Sequence, residues 1–305
     1  MGGSEVFCHL YGVLILTGGE TVKDPYGRKW RYAICNELFE SRTLGETAIF
    51  ARDLGYEGLE LAPYTLAERV TDLSDKERKR IREEIESEGM KVVGLHWLLA
   101  RTEGLQINDP DSAVRERTAR YMLDEVDLCA DLGGEVLVLG SPQQRAIRPG
   151  FTRDEAWANM IDIMRRCGKR AEQREVFFCI EALPTPECEY INTVDMCAEL
   201  VRQVDNPGFQ MMVDCKQMAT NDARPIPVQI KTVAPYIRHV HVNDPNRLGP
   251  GMGDTDFGPI LQALREIDFQ RWCSVEAFDS DFGIERIARE SIQNLYAAEK
   301  RPEAG

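Results

Sequence analysis

The run Val176-Phe177-Phe178-Cys179-Ile180-Glu181 is apolar, of strand length, and closed by a carboxylate. Three later runs repeat that form. Phe209-Gln210-Met211-Met212-Val213 ends on Asp214, Ile237-Arg238-His239-Val240-His241-Val242 carries His241 near its end, and Trp272-Cys273-Ser274-Val275 ends on Glu276. Working outward, further strand-like runs fall at Arg31–Asn36, Gly58–Leu61, Lys91–Trp97 and Glu135–Gly140. Between the strands lie amphipathic stretches such as Ser74–Gly89, Asp111–Leu132, Arg153–Arg174 and Thr193–Val204. This alternation calls for a parallel sheet with helices outside it. Eight strands with eight intervening or following helices predict a closed α/β barrel of the (β/α)8 TIM type. An open dinucleotide-binding sheet would usually show a glycine-rich fingerprint after its first strand, and none is present. The barrel is expected to form one domain over residues 30–305. Residues 1–29 precede it as an N-terminal extension: an arm, an extra strand or a leader.

At 305 residues the chain suits one barrel, whose usual size is roughly 250 residues. A hydrophobic content of 43% is normal for a chain with a substantial core. The net charge of −14 argues against a nucleic-acid partner, since phosphate binding needs clustered Lys and Arg. Nine scattered cysteines with no C-x-x-C pair predict reduced thiols and a cytoplasmic protein. The apolar stretch Leu10 to Leu16 follows no basic residue and is too short to span a bilayer, so neither a signal peptide nor a membrane segment is expected.

Side chains alternate along a strand, so a barrel that turns Glu181 inward turns Ile180 and Phe178 outward. The same phase sends Val213, Val240, Val242 and Val275 outward while Asp214, His241 and Glu276 face in. In a parallel barrel these strand ends meet at one mouth. Three carboxylates and an imidazole converging there would be costly to desolvate without a cation among them. Oxygen ligands with one imidazole suit a single Mn2+, with Mg2+ and Co2+ as alternatives. The competing reading is four separate salt-bridged or solvated residues, which four strands agreeing in phase disfavours.

Other mouth residues are open to two readings. Glu60 and His96 close the second and third strands, either contacting substrate from the opposite wall or resting as hydrogen-bonded core groups. His239, one layer deeper, reads as a satisfied core histidine. The glycine-rich loop from Asn243 to Gly253 either closes over substrate, with Arg247 offering a planar donor fork, or is an ordinary turn.

With those residues in view, the chain resembles the sugar phosphate isomerase/epimerase superfamily of xylose isomerase-like TIM barrels, and most of all its ketose 3-epimerase branch, over roughly residues 30–300. The resemblance implies that Glu181, Asp214, His241 and Glu276 bind one divalent metal. It also implies substrate contacts from Glu187, six residues after the first ligand, and from Arg247, six after the histidine. One position departs. The branch places a substrate-binding histidine three residues after the aspartate, where this chain has Gln217, which can hydrogen-bond a hydroxyl but carries no proton at neutral pH. The resemblance further suggests a homo-oligomer.

The expected function is a metal-dependent sugar epimerase or isomerase. Glu181 and Glu276 would exchange a proton beside a ketose carbonyl through an enediolate, one removing it and the other returning it. The alternative is a metal-dependent dehydratase or lyase on a keto-inositol or keto-glycoside. A nuclease of the endonuclease IV type is disfavoured by the shortage of histidine, with four in the chain. A sugar-binding protein without activity would not need two carboxylates placed as an acid/base pair.

Overall fold

In a computed structural model, residues 28–300 are described, and the expectation for residues 1–29 falls almost wholly outside them. Eight parallel strands close on themselves in chain order, the last pairing with the first. They are β1 (Arg31–Cys35), β2 (Gly58–Leu61), β3 (Lys91–Leu95), β4 (Val136–Leu139), β5 (Phe177–Ile180), β6 (Phe209–Asp214), β7 (Ile237–Val242) and β8 (Trp272–Val275). Around them lie α1 (Leu44–Leu54), α2 (Asp75–Glu86), α3 (Ser112–Asp131), α4 (Pro142–Arg145), α5 (Arg153–Gln173), α6 (Val194–Val204), α7 (Cys215–Asn221), α8 (Ile226–Val233), α9 (Phe257–Glu266) and α10 (Ile284–Glu299). This is the TIM barrel that the alternation predicts.

Local chemistry sets the helix starts. Thr43, Ser74 and Thr152 each accept from the amide three residues on, while Glu46, Glu77 and Glu155 reach back to the cap. These reciprocal capping boxes satisfy amides that would otherwise lack partners. Thr193 caps α6 in the same position, without the returning glutamate.

The barrel has two apolar layers. Phe178, Ile180, Val213, Val240, Val242 and Val275 pack outward with the helices in the main core. Ala33, Val93, Val136, Val138, Cys179, Met212 and Trp272 form a separate cluster inside the barrel. The outward set is the one that strand phase demands if the acidic residues point inward. The core fills the lower barrel with side chains and leaves the C-terminal mouth to polar groups, as barrels of this kind do.

Candidate active site

The four expected ligands come together at that mouth. Glu181 follows β5, Asp214 ends β6, His241 lies near the end of β7 and Glu276 follows β8. One ligand atom from each lies within 4.8 Å of all the others, and all four residues are buried. His241 Nδ1 is 3.2 Å from Glu276 Oε2 and 3.7 Å from Asp214 Oδ2, yet it has no hydrogen-bond partner.

The electrostatics describe a cluster short of positive charge. Burial, then Asp214 and Glu276, push the Glu181 carboxyl up to about 8. Burial, then Glu276, push Asp214 up to about 6. Burial opposes charge on His241, but Glu276 and Glu60 overcome it and raise the imidazole well above its usual range. Glu276 resists burial because His241 beside it holds it below the usual carboxylate range. Without a cation the cluster retains protons; a divalent ion accepting from three oxygens and the unpartnered Nδ1 would displace them. The donor set therefore fits the implied metal, with Glu181, Asp214, His241 and Glu276 as the residues that would hold it.

Behind the cluster, neighbouring groups orient three of the four expected ligands, Asp214, His241 and Glu276. Asp214 Oδ1 accepts from the Gln217 amide and Oδ2 from Asn243 Nδ2, both at 2.8 Å. Trp97 Nε1 donates to Glu276 Oε1 at 3.0 Å. His241 Nε2 meets Glu60 Oε1 at 3.2 Å, leaving Nδ1 for a metal. Such outer contacts set the tautomer and raise ligand basicity. The buried guanidinium of Arg145 donates to the carbonyls of Leu139, Glu181 and Ile191, tying the ends of β4 and β5 to the following loop.

Glu60 is not on the substrate wall, which corrects one of its two expected readings. It is fully buried beneath the cluster, where Oε2 is 2.7 Å from His239 Nε2 and Oε1 bonds His241. His239 is a buried core histidine, bonded through Nε2 to Glu60 while its Nδ1 has no partner. His96 is also buried, but it borders the cavity above the ligands, its ring edge-on to His241 and its Nε2 2.8 Å from Glu37.

That cavity, of about 310 Å³, is bordered by Glu181, Glu276, His241, His96, Glu187, Gln217, Lys216 and Arg247. Gln217 Oε1 is buried there without a partner. Glu187 is held by Lys216 Nζ at 2.8 Å. The exposed Arg247, in a left-handed backbone conformation at φ 71°, lies over the Phe278 ring at 5.2 Å. A second cavity of about 720 Å³ shares Trp97, Ser141, Arg247 and Phe278 with the first and continues outward. Lys216, Trp97, Asn243, Arg145 and Phe278 were not singled out by the sequence reading. Asn243 alone carried a signal, standing two residues beyond His241 on the same strand phase.

A family model for the xylose isomerase-like TIM barrel matches residues 49–298, and the chain belongs to that family. It is 31% identical over 122 residues to a D-psicose 3-epimerase of Ruminiclostridium cellulolyticum, an alignment covering 40% of this chain and 41% of that one. A D-psicose 3-epimerase of Enterocloster bolteae is 25% identical over 232 residues, 74% of this chain and 73% of the relative. Both relatives are isomerases by name. A crystal structure of D-psicose 3-epimerase with D-tagatose from Clostridium cellulolyticum has the same fold: TM-score 0.78 at 20% identity, covering 89% of this chain and 100% of that one.

Proposed function

We propose that this protein is a divalent-metal-dependent sugar epimerase that inverts a carbon beside a ketone, on a ketose related to those of its D-psicose 3-epimerase relatives. The observation that carries this reading is that Glu181 and Glu276 enter one cavity from strands β5 and β8, on either side of Asp214 and His241. Bound among these four residues, a divalent ion (Mn2+ first, with Mg2+ and Co2+ as alternatives) supplies Lewis-acid stabilisation of the charge developing on the ketone oxygen. One glutamate takes the carbon-bound proton and the other returns it to the opposite face, which inverts the centre. Trp97 Nε1 holds one Glu276 oxygen in place. Glu187, Arg247, Gln217 and His96 bind and orient the sugar hydroxyls. Gln217 Oε1, buried and unpartnered, is an acceptor waiting for a hydroxyl.

The test is incubation of the metal-loaded protein with D-psicose, D-fructose and D-tagatose in deuterated water, followed by NMR. Deuterium at the carbon beside the carbonyl together with an inverted product supports the proposal, and Glu181→Gln and Glu276→Gln should each abolish inversion. Parental turnover by both variants would refute the acid/base pair. Gln217 stands where the resembled branch has a substrate-binding histidine, and that departure supports a second reading in which the same enediolate loses water or an aglycone. Loss of water from a keto-inositol, or of the aglycone from a keto-glycoside, added to the same assay would identify it. Among the described residues the cysteines are all free and buried, which supports a cytoplasmic setting. No described helix is long and apolar enough to cross a membrane. We further expect a homo-oligomer, to be checked by sedimentation.

A further inference from the structure

We propose that the substrate has two sugar units: a ketose unit, open at its ketone, in the inner cavity and a second, neutral sugar ring, glycosidically linked to it, in the outer one. The assignment rests on the epimerase reading, which directs the ketose unit inward to the acidic cluster. At about 310 Å³ the inner chamber lies at the small end of the roughly 300–1,000 Å³ typical of ligand cavities. The outer chamber is more than twice that size, about 720 Å³. The two share Trp97, Ser141, Arg247 and Phe278, so a ligand can pass from one to the other without leaving the protein wall.

The outer chamber is built rather than left over. Of the eight non-glycine residues with positive φ among those described, Trp97, Ser141 and Arg247 border both chambers and Arg101 borders the outer one, at 55°, 44°, 71° and 57°. Left-handed backbone at such residues is costly and concentrates where a ligand is held. Four together point to a selected surface.

Its chemistry suits an uncharged sugar ring. The Tyr64 and Trp97 rings line the chamber and, with one face of Tyr64 covered by the Arg101 guanidinium at 4.0 Å, leave aromatic surface for the C–H side of a pyranose. Hydroxyls would meet Glu37, whose Oε1 is buried with no partner while Oε2 is held by His96. The Gln144 amide lines the same wall. A phosphate or carboxylate is disfavoured. Of the two cations on its wall, Arg101 is already engaged by both oxygens of Glu40, at 2.7 and 3.0 Å, and Arg247, which borders the inner chamber as well, is assigned to the hydroxyls of the inner sugar.

Binding calorimetry on the metal-loaded full-length protein tests this without relying on turnover. The probes are D-fructose and three glucosyl-fructoses with a free ketone: maltulose, leucrose and isomaltulose, linked through different hydroxyls. At least one should bind about tenfold tighter than D-fructose. Tyr64→Ala should remove that advantage, and Gln144→Ala, which keeps its backbone bond to Ile107, should reduce it. D-fructose affinity and thermal midpoint, measured on each variant, separate loss of the second-ring contact from misfolding. The proposal is overturned if none of the three binds tighter than D-fructose, as expected if a second copy of the chain fills the outer chamber. It is equally overturned if the preference survives both variants. Deuterium exchange with D-fructose but no two-ring preference would remove this inference and leave the epimerase reading. A two-ring preference without exchange in any of these sugars would do the reverse.

Discussion

Gly140→Ala isolates the position of one carboxylate. Gly140 directly follows β4, and a Cβ built there would overlap Glu181 Oε2. The next atoms it meets, Glu181 Cδ at 3.6 Å and Leu183 Cδ2 at 3.9 Å, are at ordinary contact distance. Gly140 is not among the positive-φ glycines, so the backbone accepts alanine without strain. The whole perturbation is therefore a turn of the Glu181 carboxylate through about 1 Å, a displacement worth roughly 10²-fold in rate at a reacting centre. Stability should hardly change. The loss of chain entropy in the unfolded state favours alanine by about 0.4–1 kcal/mol, offsetting the cost of turning a flexible side chain. The assay pairs deuterium exchange into a ketose with elemental analysis and scanning calorimetry. Exchange should fall by about 10²-fold while the thermal midpoint moves by no more than about 4 °C. Parental exchange and metal content would refute the placement of Glu181. A large fall in midpoint would show that the overlap is not confined to the carboxylate.

Asp214→Ala should abolish bound metal by elemental analysis; occupancy equal to the parent would overturn the ligand assignment. Glu187→Ala and Arg247→Ala should each depress turnover while metal content stays at the parental level, and metal loss in either would move that residue into the ligand shell. Glu60→Gln should weaken metal binding by about 10–100-fold in a calorimetric titration, because it alters the partner of His241 Nε2; unchanged affinity would contradict that support. The metal-free protein should lose stability with rising pH. Glu181 and Asp214 sit at about 8 and about 6 when folded, above unfolded carboxylates near ~4. Their contribution is full below ~4 and is lost as pH rises from there, completely by about 6 for Asp214 and about 8 for Glu181. Thermal midpoints of metal-free protein should fall across that window and those of metal-loaded protein should not; parallel curves would argue against metal at this cluster.

The eight strands were legible because each is a compact apolar run with a turn signal on either side, and observed boundaries fall within two residues of the expected ones. The acidic cluster was legible for a related reason. Side-chain alternation is fixed by the pleat, so a polar residue at a strand end declares its direction once its apolar neighbours are placed. Glu60 shows where that logic stops. Phase correctly turns it inward, but depth along the barrel axis depends on strand stagger, which no local pattern encodes. The β2–β3 register shift beside Glu60, between Leu59 and Glu60, is of that kind. Trp97 and Lys216 escaped for another reason: both lie just past a strand end, where backbone conformation sets direction and period-two reasoning no longer applies. Trp97 turns its indole toward Glu276 through a left-handed backbone that is uncommon for so large a side chain.

The depth of Glu60 has a consequence for the site above it. Burial alone would raise its carboxyl, but His239 and His241 hold it well below the usual range. An ionised carboxylate fully inside the barrel is tolerable only with such partners, and here the partners lie one above the other on β7. His239 Nε2 takes one oxygen and His241 Nε2 the other. The bond that satisfies Glu60 thus also turns His241 Nδ1 upward among Glu181, Asp214 and Glu276. Replacing His239 with an apolar residue would leave Glu60 hydrogen-bonded to His241 and Cys35 alone, with His96 Nδ1 at 3.9 Å. The His241 imidazole would then be drawn toward Glu60 rather than shared with the carboxylates of the mouth. Core packing and the orientation of His241 therefore meet at one buried carboxylate, because His239 and His241 bond its two oxygens.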